Sequence, residues 1–152
     1  MQVQTIQKCY NVGYEPVWGV FVPNESIYAE TSGKAKSKFY NFADEPFTKI
    51  RAIRAKDEDW VMFEGKRMKR GWVDSHLKTK AWRQELEKIV AENQGRQVHI
   101  FSGEWNLFWR ENGQGYSKTK SEAGIYEIND AFNRVCHCGY EKYIIFIFVS
   151  IS

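Results

Sequence analysis

Proline is scarce, three residues in 152, and glycine is ordinary at 11, which excludes collagen-like and proline-rich low-complexity chains. Cysteine is scarce too. Cys9, Cys136 and Cys138 are an odd number without the spacing of a secreted disulfide framework, so a reduced, cytoplasmic setting is expected. No hydrophobic run is long. The most apolar stretch, residues 143–149, falls far short of the roughly 20 residues that cross a bilayer, so no membrane partner is expected. The first nine residues lack the apolar core of a signal peptide. Charge of either sign is nearly balanced at a net +3, which excludes an acidic nucleic-acid mimic acting by bulk charge. The catalytic signatures are missing as well: no serine elbow, phosphate-binding glycine loop, H-E-x-x-H or paired-carboxylate motif occurs. These absences predict no catalytic residue, no cofactor and no metal, and therefore a protein that is not an enzyme.

What is present is a hydrophobic content of 43% and an aromatic content of 16%, far above that of a disordered chain. The length suits one compact domain. The weak net charge averages over unlike parts: residues 1–55 and 56–96 each carry +2, and residues 97–152 carry −1. Within residues 64–83, Lys66, Arg67, Lys69, Arg70, Lys78, Lys80 and Arg83 face only Glu64 and Asp74.

The fold class expected is α+β: two small ββαβ-like units with antiparallel sheets, 1–55 and 97–152, and a basic, Trp-containing helical segment, 56–96, between them. In the first unit residues 17–22 are β-branched and aromatic, Pro23-Asn24-Glu25-Ser26 is turn chemistry, and 27–30 return as a second strand. Thr31 or Ser32 caps a helix over 34–42, with Ala35, Phe39 and Phe42 on one face. Residues 47–54 form the next strand. The middle segment offers an extended element at 58–65 and a helix at 77–93, on the spacing of Trp82, Leu86, Ile89, Val90 and Asn93. The last unit reads as strands at 98–101 and 105–109, a polar loop at 111–116, a helix from about Glu127 to Gly139, and a closing strand at 143–151.

Three places carry chemistry. Cys136-His137-Cys138 has zinc-ligand residue types, but its cysteines are one residue apart where structural sites use two to four, so a helix terminus with apolar-packed thiols is the simpler reading. The basic cluster Lys66, Arg67, Lys69, Arg70 and Trp72, continued by Lys78, Lys80 and Arg83 and flanked by Trp60 and Trp82, suits phosphate neutralisation with base stacking. Its alternative is a solvated loop over core tryptophans. Trp109, Arg110, Asn112 and Tyr116 stand in a glycine-rich segment that either packs on itself or lines a ligand site.

The spacing W-R-x-N-x-x-G-Y, then E-A-G-x-Y, then a short helix ending in H-C-G-x-E-K is carried by Trp109, Arg110, Asn112, Gly115, Tyr116, Glu122, Ala123, Gly124, Tyr126, Ala131, His137, Cys138, Gly139, Glu141 and Lys142. It resembles a C-terminal module of small uncharacterised phage and prophage proteins, with Glu111 where those proteins often have Pro. The segment 28–35 followed by 47–54 is similar to their openings. The resemblance implies phage origin, a compact α+β fold and the cytoplasm of a host bacterium, and brings no assigned catalytic residues. The function expected is then an accessory, anti-defence or host-takeover factor. It would bind a host protein or nucleoprotein complex, for example as an anti-CRISPR-like inhibitor, with aromatic anchors near the basic cluster. Direct binding of DNA or RNA through residues 66–83 is the alternative, and a small enzyme or metal protein using Cys9, Cys136 or the histidines is the third.

Overall fold

The computed structural model describes residues 2–15, 21–42 and 49–150. The fold is α+β, and every strand pair among the described residues is antiparallel. No described helix is long and apolar enough to cross a membrane. The chain divides into two compact units, Met1–Asp74 and Ser75–Ser152.

The first unit opens with β1 (Gln4–Gln7), β2 (Cys9–Tyr14) and β3 (Val22–Tyr28), followed by α1 (Ser32–Phe42) and β4 (Ile50–Arg54). β2 lies between β3 and β4. Its Tyr10 and Val12 join Ile27 of β3 against Ala35 and Phe39 of α1, so helix and sheet close a small core. The α1 cap falls where expected: the Lys34 amide donates to Thr31 Oγ1 at 3.2 Å. The expected turn at Pro23-Asn24-Glu25-Ser26 is instead the body of β3, and this corrects the hairpin reading. β3 is the edge of its sheet, where a proline needs no ladder donor, and the register shifts beside its Gly13–Pro23 pair. Residues 17–20, 47 and 48 of the expected strands lie outside the described residues.

A second small sheet completes this unit. β1 pairs with β5 (Trp60–Phe63), and β5 pairs with β6 (Lys66–Lys69). Glu64 and Gly65, at φ 49° and 74°, make the two-residue turn of this hairpin. Val61 and Phe63 are buried, whereas Trp60 and Met62 point to the opposite, more open face.

α2 (Arg70–Glu92) starts seven residues before the expected helix, and the boundary between the units falls within it. The second unit continues with β7 (Gln97–Ser102), β8 (Leu107–Trp109), β9 (Tyr116–Ser117), β10 (Tyr126–Glu127), α3 (Ile128–Val135) and β11 (Ile144–Phe148). β11 pairs with β7 along its length, from Ile144 with Ser102 to Phe148 with Val98. The other edge of β7 takes β10 at one end and β8 at the other, and β9 pairs with β8. Val98, Ile100, Ile144 and Phe146 form the core with Leu86 and Val90 of α2 and with Ile128, Ala131 and Val135 of α3. α3 is shorter than expected. Glu127 caps it by accepting from the Asn129 and Asp130 amides, and it ends before Cys136, so residues 136–138 are its exit rather than its last turn.

Candidate nucleic-acid interface

The ladder register sorts the basic cluster. Trp60 stands opposite Lys69, and Met62 opposite Arg67, so these four share the outer face of the small sheet. Lys66, opposite Phe63, belongs to the other row. On β1, Gln4 pairs with Met62 and Gln7 with Trp60. A register shift between Thr5 and Gln7 brings both glutamines onto the outer face despite their odd spacing.

The Trp60 indole has the Arg67 guanidinium 4.5 Å and the Lys69 ammonium 4.3 Å from its ring centroid. Cations held against an indole in this way keep their charge and lose much of their side-chain freedom. Arg67 is further fixed by donating to Gln7 Oε1 at 2.7 Å. Lys69 donates to the Tyr28 hydroxyl and lies 5.0 Å from the Tyr28 ring centroid. The hydrogen bond to Tyr28, with further help from Glu58, pushes the Lys69 ammonium pKa above its ordinary value, so it stays charged.

Tyr28 and Gln7 also line an open groove of about 600 Å³, together with Thr5, Ile6, Lys8, Ala29, Glu30, Lys34 and Lys38. Lys34 pairs with Glu30, and Lys38 donates to the Tyr28 carbonyl at 2.7 Å. The groove thus brings three lysines and one glutamate to the edge of the Trp60 face. Lys34 and Lys38 are one helical turn apart on α1, and that spacing was the available signal for them; Lys8, Gln7 and Tyr28 gave none.

Arg70 is diverted from this face. Its Nη2 donates to Thr5 Oγ1, and its Nε lies 3.8 Å from the buried Asp59 carboxylate. Asp59 also takes a two-pronged interaction from Arg54 and accepts the Cys9 amide at 2.8 Å. Trp72 is exposed on the first turns of α2, while Lys78, Lys80 and Arg83 belong to the second unit. Lys78 lies 5.4 Å from the Tyr140 ring centroid.

The glycine-rich segment of the second unit closes on itself. Arg110 donates through Nε to the Tyr116 carbonyl at 2.9 Å and through Nη2 to Glu122 at 2.8 Å. Ser117 also donates to Glu122, and this hydrogen bond, followed by the Arg110 charge, holds the Glu122 carboxyl below its usual range. The Tyr126 hydroxyl donates to the Arg110 carbonyl and accepts the Gly113 amide. Asn112, at φ 55°, turns the chain there, and Trp109 meets Tyr116 edge to face at 6.3 Å.

Gly124 is the pin of this loop: its amide donates to the Trp109 carbonyl at 2.8 Å, and its carbonyl meets buried His99 Nδ1 at 2.8 Å. A Cβ at that position would sit 2.7 Å from the Glu111 nitrogen and 2.8 Å from the Arg110 carbonyl carbon. Gly124→Ala is therefore expected to destabilise the protein by about 1–3 kcal/mol, read as a lower urea midpoint with an unchanged slope.

Cys9 is fully buried, and burial pushes its thiol pKa up; burial does the same at Cys138, whose sulfur is 3.9 Å from His137 Nε2. Cys9, buried as it is, lacks the exposed setting of a reactive thiol. No three His, Cys, Asp or Glu side chains converge as a metal site among the described residues. Compared with protein-family models, curated proteins and solved structures, the chain gives no match.

Proposed function

We propose that the first unit binds a single-stranded nucleic acid along the Trp60 face and the adjoining lysine groove. The observation that carries this is Trp60 on an open sheet face with Arg67 and Lys69 against its indole, continuous through Gln7 and Tyr28 with a groove bearing Lys8, Lys34 and Lys38. Basic grooves that track a backbone beside aromatic platforms suit strands whose bases are unstacked, because a duplex keeps its base faces hidden. Phosphates are drawn to the cations, and bases are brought onto the half-buried Trp60 and the exposed Met62 beside it. Fluorescence anisotropy with a labelled single-stranded oligonucleotide and a matched duplex tests this. Binding is expected for the single strand, stronger than for the duplex and falling steeply as salt rises. Absence of binding at low salt would refute it.

A second reading is an accessory factor that engages a host protein or nucleoprotein complex in the bacterial cytoplasm, as the phage-type resemblance implies. It is favoured by Trp105 and Tyr143, which are 60% and 61% exposed. They stand on either side of an ordered corner, where Gly103 donates to the Tyr143 carbonyl and Lys142 pairs with Glu104. Large aromatics on a fixed corner are the residue types that anchor protein interfaces.

A further inference from the structure

β11 uses one edge to pair with β7, and among the described residues no strand pairs with its other edge. That edge is Ile144-Ile145-Phe146-Ile147-Phe148: five apolar residues in regular register, with no charge, proline or bulge among them. Natural sheets blunt an exposed edge with such features, and an unblunted apolar edge is a template for another strand. Ile145 is 53% exposed on it. Beside it runs an apolar groove of about 360 Å³, in which Trp82, Leu86 and Ile89 of α2 face Ile144, Phe146 and Phe148.

We infer that this edge pairs with the same edge of a second copy of the chain, antiparallel about a two-fold axis through Phe146. Two observations select a second copy over another peptide. The first is that the strand matches itself. Phe146 meets Phe146, Ile145 meets Ile147 and Ile144 meets Phe148, so every cross-strand pair is apolar and both edges gain backbone partners. The second is charge. Antiparallel pairing of the two edges sets the two copies of α2 antiparallel on one face of the joined sheet. The stripe of α2 on the groove side reads Lys78, Trp82, Glu85, Ile89 and Glu92 at alternating steps of four and three, basic at one end and acidic at the other. Reversing one copy directs the Lys78 end of each helix toward the Glu92 end of the other, two opposite-charge approaches against the single Glu85–Glu85 approach at the axis. The contact is isologous and closes at two copies.

Light scattering on the eluting full-length chain across the micromolar range tests this. The wild type is expected at twice the 17.9 kDa chain mass. Ile145→Lys and Ile147→Glu are each expected to elute as monomers, with thermal unfolding still cooperative. Mixing the two variants should restore a dimer, because lysine then faces glutamate across the two-fold axis. A monomeric wild type overturns the proposal, as does an Ile145→Lys protein that remains dimeric or a mixture that stays monomeric. The outcome is independent of nucleic-acid binding, since the edge belongs to the second unit.

Discussion

Replacing Asp59 with Ala is expected to lower the stability of the first unit by about 3 kcal/mol, the lower end of the 3–5 typical when one partner of a buried ion pair is removed. The lower end applies because the Arg54 side chain keeps 34% of its surface, whereas Asp59 keeps 1%. Asp59 joins three segments. It accepts the Cys9 amide at the start of β2, holds Arg54 at the end of β4, and faces Arg70 at the start of α2, where the Arg70 amide donates to the Asp59 carbonyl at 2.9 Å. Arg54 also donates to the Cys9 carbonyl at 2.9 Å, so the loss leaves it that acceptor but no counter-charge, and leaves the Cys9 amide without its acceptor. Asp59→Asn keeps an oxygen for the Cys9 amide and is expected to lose less. Urea midpoints for the three proteins give the ranking.

The same carboxylate sets an acid response. Burial pushes the Asp59 pKa up, but the Arg54 hydrogen bonds, the Cys9 amide and the charges of Arg54 and Arg70 outweigh it and hold the group below its ordinary value. A carboxylate depressed in the folded state contributes its full stability above the unfolded pKa of about 4, and that contribution is lost as the pH falls through the folded value. Wild-type stability is therefore expected to drop below about pH 4 more steeply than that of Asp59→Asn, which has no charge there to lose.

Replacing Trp60 with Leu together with Arg67 with Gln is expected to weaken single-strand binding by roughly ten- to a hundredfold, since one stacked base is worth about 1–3 kcal/mol and each tenfold is about 1.4. The change spares Val61 and Phe63, the buried residues of β5, so folding should survive and can be followed by circular dichroism. Lys66→Gln serves as the contrast, because Lys66 stands in the opposite row of the hairpin. It should cost far less affinity than the double change. Equal losses from the two proteins would mean that bulk charge, not the Trp60 face, drives binding.

Much of the fold was legible because it rests on local signals. The Thr31 cap with Ala35 and Phe39 marked α1, the apolar spacing from Trp82 to Val90 marked the body of α2, and the run after Tyr143 marked β11. What stayed hidden depends on tertiary partners. β1, Gln-Thr-Ile-Gln, has no apolar alternation and exists by pairing with β5. The first turn of α2 contains Gly71, a poor helix former. It is held there by the Arg70 amide on Asp59, and a Cβ on Gly71 would sit 3.1 Å from the Asp57 Cβ and carbonyl oxygen. The β5–β6 turn uses Glu64-Gly65 rather than the commoner Asn-Gly, so a hairpin passed for a charged loop. The candidate site shows the same split. Sequence proximity grouped Lys66, Arg67, Lys69, Arg70 and Trp72, whereas strand alternation turns Lys66 away and Asp59 draws Arg70 inward. Lys8, Lys34 and Lys38 reach the same groove from distant positions, through pairing that no linear charge count contains.

In the proposed function, phosphates lie along the Lys8–Lys38–Arg67 surface of the first unit. The salt dependence of single-strand affinity tests it most directly, compared between the wild type and a Lys8→Gln, Lys38→Gln, Arg67→Gln protein. Each phosphate contact contributes about −0.7 to the slope of log affinity against log salt, so the triple change is expected to flatten that slope by about 2. An unchanged slope in the triple variant would contradict the claim.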